Sequence, residues 1–393
     1  MFSVTVGHDD HIDGASAANA ALDQALERCD AAVPKAVMVL VGSGVDAQAV
    51  LDTLSARLTG IPLVGATTMV QTSDRGGALE DSVLIWLFSG NGLEVGASVY
   101  RLEAAQSPDA IESAIQGARD AVREASGHLE VPARLCLCMG FHPAGPSAFH
   151  AGLSQALGSE VPVIGGGALS TIGSGIAGEV FFGRQRLDNA GVVLLLGGRF
   201  QMAHAVAHGF QPVGEVHRIT RVVAGSVLAE VDGEPAVNLY RNYLGDAGGA
   251  GAAFVHHPLA IETPEGQLLR SAFGIGPVPG SLLLAGEVVE GAAMRLCEFD
   301  RESLLNAAQA AVAEALARWR GPPPAIALTF ECVTRWFALG TLAPLSLARV
   351  RDALPASTVV AGSYVAGEFA PWTAGGSGQV HNCSIVVLLL GAA

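Results

Sequence analysis

One pattern recurs three times along the 393 residues, and it leaves few folds open. Its first copy is VPKAVMVLVGSG from Val33, a helical stretch around Ala47 to Leu58, IPLVGATT from Ile61 and LEDSVLIWLFSG from Leu79. The second is VPARLCLCMGFH from Val131, a helix around Ser147 to Leu157, VPVIGGGALS from Val161 and LDNAGVVLLLGG from Leu187. The third is PPAIALTFECVTR from Pro323, a helix around Leu345 to Leu354, STVVAGSYVAGE from Ser357 and VHNCSIVVLLLG from Val380. Each copy runs strand, helix, short strand with a mid-strand glycine, variable glycine-rich loop, long apolar strand. Repeated units of this size stack to bury a core that none could bury alone. The expected fold class is therefore α/β: layered sheets covered by helices, built from three strand-helix-strand-strand repeats over two domains. The recurrent Gly65, Gly165 and Gly362 mark places where a strand bulges or admits another backbone or a ligand.

Half of the residues are hydrophobic and 15% are charged, enough for large buried sheets. Apolar runs such as Val192 to Leu196 and Ile385 to Leu390 are far shorter than the ~20 residues of a membrane-spanning helix. They read as strands buried on both faces. A net charge of −15 repels nucleic acid and anionic lipid, which excludes both as expected partners. The opening MFSVTVGHDDHIDG has neither a basic nor a long apolar region of the signal-peptide kind. Six cysteines without a Cys-x-x-Cys pair point to reduced thiols and a cytoplasmic setting.

Around the copies, Phe2 to Gly7 and Leu93 to Tyr100 alternate as strands, while Ala15 to Cys29 and Pro108 to Ala125 have helical spacing. Strands are also expected at Phe254 to Glu262, Gln267 to Gly274 and Ser281 to Ala285, with helices at Pro235 to Tyr243 and Arg301 to Arg318. Gly245 to Gly251 is the expected flexible stretch. A boundary between Gly209 and Pro235 gives an N-terminal domain over 1–220 with two copies and a C-terminal domain over 221–393 with the third.

Chemically capable residues gather in the third copy. Glu331, Cys332, Thr334 and Arg335 follow an apolar strand, and a thiol beside a guanidinium is expected to be acidified. His381 is the candidate base for such a thiol, which leaves open an enzyme with a Cys332 nucleophile, a ligand-lining role or a purely structural one. Arg270 ends the strand QLLR, where it would pair with Glu368 or grip a ligand carboxylate. In the strand from Phe200, alternation puts Met202, His204, Val206 and His208 on one face, so His204 and His208 are the candidate axial ligands of a haem. His256 and His257 fall on opposite faces of their expected strand. Cys136 and Cys138 share a face but lack further ligands. The cluster His8, Asp9, Asp10, His11 sits before a helix start, where acidic residues complement the dipole. No phosphate-binding loop, nucleophile elbow or zinc helix is present, and Gly173-Ser174-Gly175 reads as loop chemistry.

Taken together these segments resemble the FIST family, named for F-box and intracellular signal transduction proteins. VLVGSG, IPLVGATT, VPVIGGGALS and HGFQPVGEVHRITRV are similar to its N-terminal domain. HPLAIETPEGQLLRSAFGI, AGEVVEGAAMRL, LTFECVTR, VVAGSYVAGEF and VHNCSIVVLLL are similar to its C-terminal domain. The resemblance implies a sensory module for a small ligand that reports to a separate partner, a histidine kinase or cyclic-di-GMP signalling enzyme in trans. For stand-alone bacterial members it implies haem binding and nitric oxide sensing. Carried onto this sequence, the family's C-terminal motif falls on Cys332, Arg335, Gly362, Gly367, Glu368, His381 and Asn382. With Arg270 and Tyr364 these form the expected ligand site. GATTMVQTSDRGG in the first copy lacks the Gly-Glu pair that family members often carry. A homodimer is left open.

Overall fold

In the computed structural model, Val39 pairs in parallel with Gly65, Cys138 with Gly165 and Thr329 with Gly362. A Cβ on any of the three glycines would lie within 1.9 Å of an oxygen of its partner, so no side chain fits there. Their role is close backbone approach. The structure describes residues 2–29, 33–101, 108–140, 146–170, 178–245, 251–264, 266–373, 375–376 and 378–393. Gly173-Ser174-Gly175 and most of the glycine-rich stretch after Gly245 lie outside the described residues.

Three sheets of six strands run in the same order. The first is Ser3–Asp9, Val83–Ser89, Pro34–Val41, Leu63–Thr67 and the hairpin Val180–Phe182 with Gln185–Leu187. The second is Leu93–Arg101, Ala190–Gly198, Ala133–Gly140, Val163–Gly167 and the hairpin Glu368–Pro371 with Gly378–His381. The third is Gln201–Ala207, Ile385–Gly391, Ile326–Cys332, Val359–Val365 and the hairpin Val70–Ser73 with Gly77–Leu79.

The expected glycine-rich loop of each copy is thus a correction: it contains a short hairpin, and that hairpin completes the sheet of a different copy. Strands of three or four residues are too short for a period of two to register, and their partners lie far away in the chain.

Alternation explains why the strands are apolar throughout. Met38 and Leu40 face inward, where Trp86, Leu137, Leu194, Phe330 and Leu388 from all three sheets meet in one core. Val37, Val39 and Val41 face outward beneath the helices Gly14–Glu27 and Ala47–Arg57. The helices Pro108–Ser126 and Pro146–Leu157 cover the second sheet, and Arg301–Arg318 and Pro344–Asp352 the third. Trp86 meets Phe330 edge to face at 5.7 Å, joining the first and third sheets.

Residues 211–298 form a fourth sheet, in the order Gly266–Arg270, Leu259–Thr263, Ala293–Glu298, Gln211–Val223, Val227–Val231, Leu282–Leu284, Ala272–Ile275. The expected strand at Phe254 is a correction. Gly251–His256 is helical because Phe254 packs edge-on against Tyr240 at 5.0 Å, and tertiary contact overrides local propensity. His256 and His257 consequently do not alternate on a strand; His257 bonds the carbonyl of Cys297 at 3.1 Å.

Candidate functional site

The strand Ile326–Cys332 ends where a short helix, Val333–Leu339, begins. This strand–helix corner separates the expected site into two assemblies. On one side Arg335 is wholly buried. Its Nε donates to Glu331 Oε2 at 3.1 Å, Nη1 to the carbonyl of His208 at 2.9 Å and Nη2 to that of Leu304 at 3.0 Å. Ser346 Oγ donates to the same Glu331 oxygen at 2.9 Å. The expected contact between Arg335 and the Cys332 thiol is overturned, because the guanidinium is spent on Glu331 and backbone carbonyls. Tyr364 lies on this side too, with its ring 5.0 Å from Trp336 and its hydroxyl 3.4 Å from the carbonyl of Ala343.

On the other side the third-copy hairpin meets the fourth sheet. Glu368 is fully buried. Its Oε2 accepts from Ser384 Oγ at 2.6 Å and from the Ser384 amide at 3.2 Å. Its Oε1 has no hydrogen-bond partner among the described residues. Burial, then the neighbouring Cys332 thiol, raise the Glu368 carboxyl well above its ordinary range against the pull of the Ser384 bonds, which favours the protonated form. The Cys332 thiol is near enough to the carboxyl to raise it further.

Cys332 itself is buried, and desolvation together with Cys383 pushes its thiol well above the usual value. The expected acidification is thereby reversed in sign. Ser271 Oγ lies 2.9 Å from Cys383 Sγ and 3.3 Å from Thr334 Oγ1. Asn382 accepts from the Ser271 amide at 3.3 Å and donates to the carbonyls of His381 at 2.8 Å and Ala285 at 3.3 Å.

Arg270 donates to the carbonyls of Glu287 at 2.9 Å, Leu269 at 3.0 Å and Val380 at 3.0 Å. Its expected ion pair with Glu368 is absent among the described residues. Burial lowers the guanidinium to about 10, still cationic at neutral pH. His381 Nε2 faces the carbonyl of Ala370 at 2.9 Å and so carries the ring proton. Its ring packs on Trp372 at 4.6 Å, and burial lowers it to about 3. It is neutral and engaged away from Cys332. Gly362 contacts Thr329, as its strand pairing demands.

The structure therefore joins Arg270, Cys332, Glu368, His381 and Asn382 at one seam and sets Arg335, Tyr364 and Gly362 apart. Ser271, Cys383 and Ser384 belong to the seam and were missed. Ser384 had a signal, since it precedes the last strand of its copy as Ser82 precedes the last strand of the first.

The haem candidates fit poorly. His204 Nε2 bonds the carbonyl of Pro371 at 3.1 Å, and His208 Nδ1 accepts from the Phe210 amide at 3.2 Å. Burial lowers both to about 4. His8 turns inward between Ser73 and Ser82, while His11 pairs with Asp9 at the surface. Among the described residues no group of three or more His, Cys, Asp or Glu is placed to hold a metal ion.

Three interleaved sheets, with helices covering them and a fourth sheet beside them, define a mixed α/β protein. The chain matches the FIST N domain over residues 35–234 and the FIST C domain over 236–371. It belongs to the FIST family, whose domains are sensory and bind small ligands. No curated protein matches the chain. Among solved structures it is similar to one described as "Crystal structure of cyanuic acid hydrolase from A. caulinodans". That likeness is 10% identity and a TM-score of 0.41 over 100% of this chain and 99% of the other, and it lends nothing to the reading of the site. No helix among the described residues is long and apolar enough to cross a membrane.

Proposed function

We propose that the protein is a cytoplasmic sensor whose small ligand binds at Glu368, in the seam between the third-copy hairpin and the fourth sheet. One observation carries the reading: a fully buried, protonated carboxyl keeps an oxygen without a partner. Such an orphan costs about 1–3 kcal/mol, which a ligand offering a hydrogen-bond acceptor would recover. Cys332 stands beside it, and Arg270 and Asn382, tied to the same seam through Val380 and Ser271, are the rest of the site. Binding there shifts the protein between two states to the extent that the ligand prefers one of them. The response passes to a separate partner, a histidine kinase or cyclic-di-GMP signalling enzyme.

The division into domains at 1–220 and 221–393 belongs to this reading. The two FIST matches, meeting at 234 and 236, support a division of this kind.

A nucleophilic Cys332 gains no support, because burial disfavours its thiolate and His381 is turned to Ala370. Haem ligation gains none from His208, whose Nδ1 accepts from the Phe210 amide so that Nε2 carries the proton. His204, with Nε2 donating to the Pro371 carbonyl, keeps only the Nδ1 of a buried side chain for a metal. Native mass spectrometry of protein taken directly from cells tests the proposal. The parent should carry a small-molecule mass that Glu368→Ala loses. A parent with no adduct, or a variant that keeps it, removes Glu368 as the anchor.

A further inference from the structure

The strand Gln211–Val223 leaves register with Ala293–Glu298 between Val213 and His217. Bulges of this kind re-aim side chains and open space beside a sheet. Here the space is a hollow of ≈ 280 Å³ between the bulge and the helix Val237–Leu244. A second of ≈ 110 Å³ adjoins it, sharing His217, Leu239 and Asn242. Val213, Leu239 and Leu296 give an apolar floor, and Glu215, His217 and Asn242 supply the polar groups.

Of these polar groups His217 is held in place by Asp232. Asp232 sits in an Asp-Gly turn at φ 54, followed by Gly233 at φ 81. Its Oδ1 accepts from the Arg218 amide at 2.8 Å and its Oδ2 faces His217 Nδ1 at 2.7 Å. These bonds hold the Asp232 carboxyl below its usual range, so it is ionised and only accepts. His217 Nδ1 therefore carries a proton toward Asp232, which fixes the ring with Nε2 on the far side. Within the described residues no hydrogen bond or ion pair engages the side chains of Glu215 or Asn242. No lysine or arginine lines either hollow, whereas Glu215, Asp232 and Glu234 do.

We propose that this hollow is a second binding site, for a small primary amine with a short apolar chain. Two of the ammonium's three donors meet the Glu215 carboxylate and the Asn242 carbonyl oxygen. The chain lies on Leu239 and Leu296, and the volume, at the low end for ligand pockets, sets the size. The site is independent of the Glu368 reading.

Isoamylamine is the probe, with isovalerate as its anionic counterpart of the same shape, followed by titration calorimetry and saturation-transfer NMR on the full chain. The amine should bind and isovalerate should not. Glu215→Gln, an exposed change checked for folding by circular dichroism, should weaken the amine about tenfold. Asn242→Ala should weaken it less. Glu368→Ala should bind the amine as the parent does, which separates the two sites. Absence of amine binding, equal binding of isovalerate, or unchanged binding in Glu215→Gln overturns the proposal.

Discussion

The first and third copies place the same kind of polar group at the same point of the frame and treat it differently. In the first, Ser82 Oγ donates to Gln71 Oε1 at 2.7 Å; in the third, Ser384 Oγ donates to Glu368 Oε2 at 2.6 Å. The backbones agree as well, since the carbonyl of Ser82 accepts from Gly42 at 2.8 Å and that of Ser384 from Cys332 at 2.9 Å. Around Gln71 every group is satisfied. Its Nε2 donates to the carbonyl and hydroxyl of Thr68 at 2.9 and 2.7 Å. Because Ser82 gives its proton to Gln71, His8 Nε2 must donate to Ser82 Oγ, and Ser73 Oγ to His8 Nδ1, at 2.9 and 2.8 Å. The chain closes with the Gly76 amide on Ser73 Oγ at 2.9 Å.

Around Glu368 the corresponding chain stops at an oxygen with nothing to bond. In the second copy the same frame position is held by Val180, which pairs with Ala66 as Glu368 pairs with Gly166, so no polar group enters there. A closed network of this kind serves the fold, while an open one is strain that a ligand can relieve.

The strongest test of that division concerns the buried pair that only the third copy carries. Val41 holds the frame position of Glu331 in the first copy, so the ion pair is an addition to the third. Glu331→Ala leaves Arg335 charged, buried and uncompensated, and should cost about 3–5 kcal/mol in urea unfolding. Its ligand content per folded molecule should stay that of the parent. Loss of ligand at full stability would return Arg335 to the site.

A middle-sized effect comes from giving the first copy the third copy's acid. Gln71→Glu deprives the Thr68 carbonyl of its donor and buries a carboxyl with too few partners. The expected cost is about 1–3 kcal/mol by thermal unfolding at pH 6, increasing as pH rises. A variant as stable as the parent at every pH would show that the first network is not closed in the way described.

Much of this comparison was legible in the sequence, and the illegible part has definite causes. The apolar strands and their covering helices announced themselves through spacing, as did the seam residues Glu368, His381 and Asn382 through their place beside them. The hairpin Val70–Leu79 did not, because its partner Val359–Val365 lies in another copy and its own strands are too short to show a period. The sign of the Cys332 shift was equally hidden. Arg335 is three residues away in sequence, yet the chain turns from strand to helix between them and carries the guanidinium toward Glu331. Proximity in sequence at a strand end predicts company only when the backbone direction after it is known.

The smallest effect at low pH, and the most discriminating because of how it grows, belongs to Glu368→Gln. An unfolded glutamate ionises near its ordinary value of 4.5, whereas in the fold burial holds this one protonated well above that. Below pH 4.5 both states are protonated, the glutamine is nearly isosteric with the neutral acid, and the two proteins should differ by about 1 kcal/mol or less. As pH rises past 4.5 the unfolded parent releases a proton that the folded parent keeps, so the parent loses stability until the folded group also ionises. Glutamine has no such proton. The variant should therefore gain on the parent steadily from pH 4.5 upward in urea titrations, and Gln71→Ala, which removes no acid, should track the parent's slope. Parallel curves for Glu368→Gln and the parent would mean that Glu368 is ionised in the fold, and an ionised carboxylate would call for a cationic ligand in place of a hydrogen-bond acceptor.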